Sequence, residues 1–498
     1  MIFDLLKSAA DNAKNQVAIQ YSDHKISYTD LITIINKLAN GLYIQGIKKG
    51  SQVAIILPNT PHFIFSYYAI LKLGAIAIPV NPLSDAGKLQ HIFEHIQPSA
   101  VFIWEGFYNK FIEYIKDIPT TFVLGENKIK NTMNLQSFMA SSPDAELEDF
   151  DIEETDGAVI TWTSGISGHP KPITLTHGNL KNVLVDCYDV IPSTHSDIFG
   201  CILPLFLLYT QILVMNLALT RGSMLALYPK INSDILKNAL LDDGISILVA
   251  GSGLYEILIQ EFQNNDKSAD IKLKYCYSIG SSCSDKIKKQ FEDIFNVPIL
   301  EGYGLTEASA IVSFNRIMGR QKQGTVGLPL STLEVQIVDD NGKKLNPGEL
   351  GEIAIRGKSV VDGYMSQDEP FPASDGWFHT NDIGKIDEDG FLWFYERKED
   401  IITKGGFNIY PTEVEDILKE HPKIEELCIV GIPHETFKQE VKACIVLKNG
   451  ESATVDEFAD FCKDRIPVYK CPQIFQFYKS LPRNSTGKVI RKKLREEH

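Results

Sequence analysis

A chain of 498 residues, 44% of them apolar, is too long for a single hydrophobic core and has a globular composition, so two or more folded domains are expected, with disorder only at the ends. A formal charge of −15 repels phosphate backbones and disfavours nucleic-acid binding, yet leaves room for a small anionic ligand at a locally positive site. Eight scattered cysteines without a CxxC pair or metal-type spacing read as reduced, mostly buried thiols of a cytoplasmic protein.

The first residues, Met-Ile-Phe-Asp-Leu-Leu-Lys, carry an early acid and no long apolar core, unlike a secretory leader. Residues 30–45 place apolar side chains at helical spacing. Residues 53–57 read as a buried strand closed by Pro58-Asn59, 63–73 as a helix, and 75–80 as another strand. This rhythm implies βαβ units and parallel sheet, and it returns at 243–250, 274–280 and 297–300. Residues 199–220 hold no charge over a membrane-spanning length. They include Pro204, Gln211 and Asn216, and read as a buried strand, a turn and a core helix, not a transmembrane segment.

Beyond about residue 320 the pattern becomes antiparallel. Residues 333–338 and 352–356 alternate, and Asp339-Asp-Asn-Gly342 and Asp387-Glu-Asp-Gly390 mark tight turns. The charged run Glu396-Arg-Lys-Glu-Asp400 is taken as a break, giving domains 1–396 and 397–498. In the second, Thr412-Glu-Val-Glu415 fits a capping box opening a helix. The basic cluster Lys488, Arg491, Lys492, Lys493 and Arg495 reads as a solvated helix face.

After the apolar strand 158–160 comes Thr161-Trp-Thr-Ser-Gly-Ile-Ser-Gly-His-Pro-Lys171. Glycines let backbone N–H groups turn toward an anion, hydroxyls add donors and the lysine adds charge. The spacing is not GxxxxGK[ST], and by itself the loop fits a phosphate cradle or an ordinary turn. Other segments stand in order with it: Leu71-Lys-Leu-Gly-Ala-Ile-Ala-Ile-Pro-Val-Asn-Pro82, Glu301-Gly-Tyr-Gly-Leu-Thr-Glu-Ala308, Gly376-Trp-Phe-His-Thr-Asn-Asp-Ile-Gly384, Lys404-Gly-Gly-Phe-Asn-Ile-Tyr-Pro-Thr-Glu-Val-Glu415 and Pro482-Arg-Asn-Ser-Thr-Gly-Lys488. Through these motifs essentially the whole chain resembles the acyl-adenylate-forming superfamily: acyl- and aryl-CoA ligases, peptide-synthetase adenylation domains and beetle luciferases. Its pattern stands closest to the acyl-CoA synthetases.

The resemblance implies an α/β fold. A large N-terminal domain has parallel α/β sheets plus an antiparallel β subdomain, and a small, mobile α+β C-terminal domain follows. It also implies ATP, Mg²⁺ and CoA, or the phosphopantetheine of a carrier protein, in a monomer or homodimer. Adenylation is an in-line displacement at the α-phosphorus by a carboxylate. Two anions must meet, so positioning and charge neutralisation carry the rate. By resemblance, Thr163, Ser164, Gly165, Ser167, Gly168 and Lys171 hold the β,γ-phosphates. Thr306 contacts the α-phosphate and Glu307 binds the metal. Glu301, Gly302, Tyr303 and Gly304 form the adenine motif, with Gly280, Ser281 and Ser282 on adenine's other edge. Asp382 accepts bonds from the ribose and Arg397 reinforces it. Lys488 reaches the charge developing between carboxylate and phosphate. Glu399 takes the hinge position, and Gly405 and Gly406 wall the tunnel for an incoming thiol. Leu207, Tyr209 and Gly251 lie by the acid pocket.

The chain also departs from the pattern. Ile166-Ser167 stands where two threonines are usual, and Pro172 replaces a glycine and its N–H. One lost charge-assisted bond costs about 1.5–3 kcal/mol, so weakened triphosphate binding is expected. Leu207 replaces the histidine of CoA ligases and the aspartate of amino-acid-activating relatives. An apolar side chain cannot neutralise a buried ammonium, which argues for an apolar acid, fatty or aryl. Asn381 and Glu396, each for glycine, are milder changes. The leading expectation is an acid:CoA ligase. The alternatives are a ligase loading a carrier protein and a non-catalytic nucleotide- or acyl-binding homologue.

Overall fold

The computed structural model describes residues 1–144, 150–163, 171–230, 232–263, 271–280, 283–365, 371–463, 465–483 and 489–497. The chain forms two compact units, Met1–Glu334 with Ile355–Phe378, and Val335–Ala354 with His379–His498.

In the first unit, β-branched runs bounded by glycine and proline become parallel strands. A seven-stranded sheet runs in the order Met133–Asn134, Thr120–Leu124, Ala100–Trp104, Gln52–Ile56, Ile76–Pro79, Gly157–Thr163, Lys171–Thr176. Only the last pair is antiparallel. Helix Pro61–Lys72 makes the crossover read at 63–73, with proline in the first turn where its missing N–H costs nothing. Helix Tyr28–Ile44 begins at Ser27, whose hydroxyl accepts the Asp30 N–H.

A nine-stranded sheet runs Leu328–Pro329, Ser313–Phe314, Ile299–Tyr303, Tyr275–Ile279, Ile247–Ala250, Ile198–Cys201, Met224–Leu227, Val17–Tyr21, His24–Ser27. Its central strands are parallel. Helices Ser233–Leu241, Ser252–Phe262 and Asp285–Phe295 contribute Leu236, Tyr255, Phe262 and Phe291 to the core beside it.

The charge-free stretch is a strand, Ile198–Cys201, then helical turns from Leu208 to Thr220 that widen to π geometry over Gln211–Asn216. Protein groups bond some of its polar side chains, while Thr210 Oγ1 and Gln211 Oε1 are buried without a hydrogen-bond partner among the described residues. Tyr68 donates to Asn216 Oδ1 at 2.7 Å, and Gln211 Nε2 donates to the Leu205 carbonyl at 2.9 Å. No helix among the described residues is long and apolar enough to cross a membrane.

A third sheet orders Leu333–Val338, Gly351–Gly357, Trp377–Ile386 and Ala373–Ser374, with Leu392–Arg397 on Trp377–Ile386. Both pairs of the Trp377–Ile386 strand described here are antiparallel. The turns expected after 338 and 386 are present: Asp339 N–H bonds the Lys343 carbonyl, and Asp387 N–H bonds the Phe391 carbonyl.

In the second unit, the strands Phe407–Ile409, Ile402–Lys404, Lys438–Leu447 and Ile424–His434 lie in that order, with Ile474–Tyr478 parallel to Lys438–Leu447. Strand Ile424–His434 is buried on both faces by simple alternation. Leu427 and Ile429 enter a cluster with Val414, Leu418 and Phe458, whereas Cys428, Val430 and Ile432 enter one with Leu481 and Leu494.

Three local expectations are corrected here. Thr412 does not cap a helix: helix Pro411–Leu418 starts after Tyr410 with proline first, and the Thr412 hydroxyl instead donates to the Tyr395 carbonyl and Glu396 Oε2. The run from Glu396 is not an open charged break, because strand Leu392–Arg397 continues through buried Glu396 into a 3₁₀ turn, Lys398–Asp400. Of the terminal basic residues, Lys492 and Lys493 are exposed as expected, but Arg491 and Arg495 are paired with acids of this unit.

Candidate functional site

The antiparallel hairpin Gly157–Thr163/Lys171–Thr176 sets Thr163 directly opposite Lys171. Opposed residues share a face, so the first hydroxyl and the lysine of the expected phosphate loop lie on the same face of this strand pair. Ser164, Gly165, Ser167 and Gly168 lie outside the described residues. Pro172 sits on the edge strand of its sheet, where a missing N–H is tolerated.

Thr306 and Glu307 lie in a single 3₁₀ turn, Thr306–Ala308, just after strand Ile299–Tyr303. The turn is tight. Ala308 and Ala310 N–H groups both bond the Leu305 carbonyl, and Ser309 and Ala310 hold positive φ, 55° and 82°. Gly304 is required by closeness: a Cβ there would lie 1.7 Å from the Ala310 carbonyl oxygen. The Glu307 carbonyl accepts the Val361 N–H at 2.9 Å, and its Oε1 accepts the Tyr364 hydroxyl at 3.4 Å. The Lys171 ammonium lies over the same tyrosine, 4.6 Å from the ring centroid. One side chain thus connects the expected triphosphate lysine with the expected metal carboxylate.

Gly251, Gly280, Tyr303 and Gly304 follow or end the neighbouring parallel strands Ile247–Ala250, Tyr275–Ile279 and Ile299–Tyr303. Ligands of open α/β sheets bind at this carboxyl edge. Gly280 has φ 79°, a conformation that favours glycine. Ser281 and Ser282 lie outside the described residues. Tyr303 is buried at the strand end, and Gly302 leaves room for the Phe314 ring. Glu301 pairs with Lys288 at 2.5 Å and accepts the Cys283 N–H at 2.8 Å, tying the turn after Tyr275–Ile279 to the next strand. Leu207 directly precedes helix Leu208–Thr210 and is half-buried. Burial pushes the Tyr209 hydroxyl up to about 12.

In the second unit, Asp382 and Arg397 are cross-strand partners, with Nε 3.4 Å from Oδ1. Asp382 is almost wholly buried, and its N–H donates to Thr380 Oγ1. Glu399 occupies the 3₁₀ turn that follows. Gly405 and Gly406 form a two-residue hairpin loop between paired Lys404 and Phe407, with φ of 58° and 87°. That turn itself demands glycine. Lys488 lies outside the described residues. Its segment is bracketed by an antiparallel bridge between Arg483 and Val489.

Two residues have partners that the sequence does not announce. Tyr364 lies outside the motif segments named from the sequence. Arg491 belongs in sequence to a basic tail, yet its guanidinium lies 3.0 Å from Glu415, 3.8 Å from Glu396 and 3.9 Å from Asp400. Burial opposes its charge, but these carboxylates win and raise its pKa.

The family model described as AMP-binding enzyme matches residues 6–365, and that described as AMP-binding enzyme C-terminal domain matches residues 413–488. The chain is 32% identical to a long-chain-fatty-acid–CoA ligase of Bacillus subtilis (strain 168), over 99% of this chain and 94% of that one. It is 29% identical to a crotonobetaine/carnitine–CoA ligase of Salmonella agona (strain SL483), over 95% and 93%. The solved structure of ATP-bound MatB from Rhodopseudomonas palustris aligns with a TM-score of 0.92 at 25% identity, covering 100% and 99% of the two chains.

Proposed function

The chain belongs to the AMP-binding enzyme family and is an AMP-forming acid–thiol ligase, and we propose that its substrate is an apolar carboxylic acid, fatty or aryl, passed from acyl-AMP to CoA. The observation that carries the proposal is the 32% identity, over nearly the full length of both chains, to a ligase named for long-chain fatty acids and CoA. Leu207 beside the expected pocket supports the apolar acid, because it offers a substrate ammonium no counter-charge.

In this reading Thr163 and Lys171 hold the β,γ-phosphates and Thr306 the α-phosphate. Tyr303 and the Gly280 turn flank adenine. Asp382, held by Arg397, accepts the ribose hydroxyls. The donor set near Glu307 fits Mg²⁺. Among the described residues no group of three or more His, Cys, Asp or Glu could hold a metal. A lone carboxylate suits a hard cation that keeps waters and takes its other oxygens from phosphates. Bound there, the ion would neutralise phosphate charge. Lys488 then offsets charge as the acid carboxylate attacks the α-phosphorus and pyrophosphate departs. For the second half-reaction, a domain from residue 397 onward turns about Glu399, and the thiol arrives past Gly405 and Gly406. Eight unpaired cysteines support a cytoplasmic location.

Acid-dependent exchange of pyrophosphate into ATP tests the first half-reaction. Fatty or aryl acids should drive it, and Lys488→Ala should lower it by about a hundredfold or more. Exchange driven only by amino acids, or untouched by Lys488→Ala, would overturn the assignment. Offering CoA or a holo carrier protein tests the second half-reaction, and thioester formed only on the carrier would replace CoA as acceptor.

A further inference from the structure

Segment 358–365 is fastened to both halves of the triphosphate site. The Val361 N–H bonds the Glu307 carbonyl at 2.9 Å, and the Met365 N–H bonds the Pro172 carbonyl at 3.0 Å. Ser309 Oγ donates to the Ser359 carbonyl at 2.7 Å, and Asn179 Nδ2 donates to the Lys358 and Val360 carbonyls. Tyr364 therefore rises from a backbone whose neighbours are bonded to Glu307 on one side and to the residue after Lys171 on the other. Phe371 packs edge-on against its ring, with centroids 5.2 Å apart and planes at 77°.

We propose that Tyr364 is a positioning residue for adenylation, holding the Lys171 ammonium on its ring face and the Glu307 carboxylate on its hydroxyl. The inference rests on the roles proposed above for Lys171 and Glu307. A lysine and a glutamate in one small site attract each other, and a direct ion pair would consume the charges that phosphate and metal need. The phenol offers each ion a different surface. Its face carries negative quadrupole charge for the ammonium, and its O–H donates to the carboxylate. At 3.4 Å that hydrogen bond is long, so it orients the carboxylate without using up its capacity for a cation. By holding both side chains in place, the phenol reduces the reordering that triphosphate and metal binding would otherwise require.

The two contacts are separable by substitution. Tyr364→Phe keeps the ring face and loses the hydroxyl. Tyr364→Leu loses both. Calorimetric titration of ATP at saturating Mg²⁺, without acid, reads the Lys171 contact. The Mg²⁺ concentration giving half-maximal ATP binding reads the Glu307 contact. Tyr364→Phe should raise the Mg²⁺ midpoint about threefold or more while leaving the ATP Kd at saturating Mg²⁺ within twofold, since one neutral-donor hydrogen bond is lost. Tyr364→Leu should also raise that Kd about tenfold, as loss of a partly desolvated cation–π contact predicts. Thermal melting identifies any variant that fails to fold, and Tyr364→Phe retains the packing against Phe371. Lys171→Ala and Glu307→Gln run alongside. If both of these shift binding while both Tyr364 variants match the parent, the positioning role is overturned. If Lys171→Ala and Glu307→Gln are themselves silent, the roles beneath it fail as well.

Discussion

Asn381 carries a left-handed backbone, φ 57°, immediately before buried Asp382. Its N–H is spent on Glu352 Oε1 at 2.9 Å. The family resemblance implies glycine there, and asparagine is the side-chain-bearing residue that tolerates this conformation best. Asn381→Gly should therefore leave the melting temperature and ATP Kd close to the parent. Asn381→Val should cost about 1–2 kcal/mol and weaken ATP binding by displacing Asp382. Equal behaviour of the two variants would contradict this account. Gly304 makes a sterner case, because the Ala310 carbonyl oxygen stands 1.7 Å from where its Cβ would be. Gly304→Ala must push the Thr306–Glu307 turn aside. A displacement near 1 Å can cost about a hundredfold in rate, so pyrophosphate exchange should fall by that order with ATP still bound. The sequence announced these positions through motif spacing, which records chemistry at fixed offsets. It was silent about Tyr364, whose partners Lys171 and Glu307 are far away along the chain and meet it only through folding.

Helix Arg491–Glu496 is six residues long, too short to persist by propensity. It is held by Leu494 in the core and by pairs from Arg491 and Arg495 to carboxylates on other elements. Arg491 also donates to the Ile429 carbonyl at 2.7 Å, joining the helix to the sheet. Burial raises the Glu396 pKa, while Arg491 and the Thr412 hydroxyl oppose the rise. Arg491→Met removes the cation and leaves Glu396 and Glu415 buried without it, a change that typically costs about 3–5 kcal/mol. Without its cation, Glu396 has a still higher folded-state pKa, so the variant binds a proton more readily than the parent. The stability deficit should therefore be greatest near neutrality and shrink as pH falls. Melting curves across that range check it, and a deficit independent of pH would show that lost packing, not stranded charge, is responsible. A run of lysines and arginines looks solvated when read locally, since the acids that answer it lie on other elements. By contrast, strand Ile424–His434 was partly legible, since mixed helices and strands were expected in this region. Its burial on two faces depends on which helices pack against it: the pattern at 412–415 announces one of them, Pro411–Leu418, but not the face it covers.

The two compact units interleave along the chain, each built from two separate segments. Composition and alternation showed the change from parallel to antiparallel texture after about residue 320, but interleaving has no local signature. The same long-range packing sets how the whole molecule responds to acid. His177, the first residue of helix His177–Val190, is fully buried, and neither ring nitrogen has a hydrogen-bond partner among the described residues. Burial lowers its pKa to about 4; the N-terminal ammonium and Lys49 push the same way, while Asp156 and Asp4 push back. Near neutrality it is uncharged in both folded and unfolded chains. As pH falls from about 6.5 toward 4, the unfolded chain takes up a proton that the folded chain refuses, so stability drops with falling pH across that window. A shift of this size corresponds to about 3 kcal/mol by pH 4. Asp156 and Asp197 add to the acid sensitivity. Burial alone would raise both, but Lys49 and Lys274 respectively hold them below the usual carboxylate range, so their contribution is lost at lower pH still. His177→Leu removes the upper step and also removes two buried polar atoms without partners. Its melting temperature should equal or exceed the parent's at pH 7 and decline less between pH 6.5 and 4, with the carboxylate-driven loss retained below. A His177→Leu profile parallel to the parent's through the upper window would mean that the acid response starts elsewhere in the molecule.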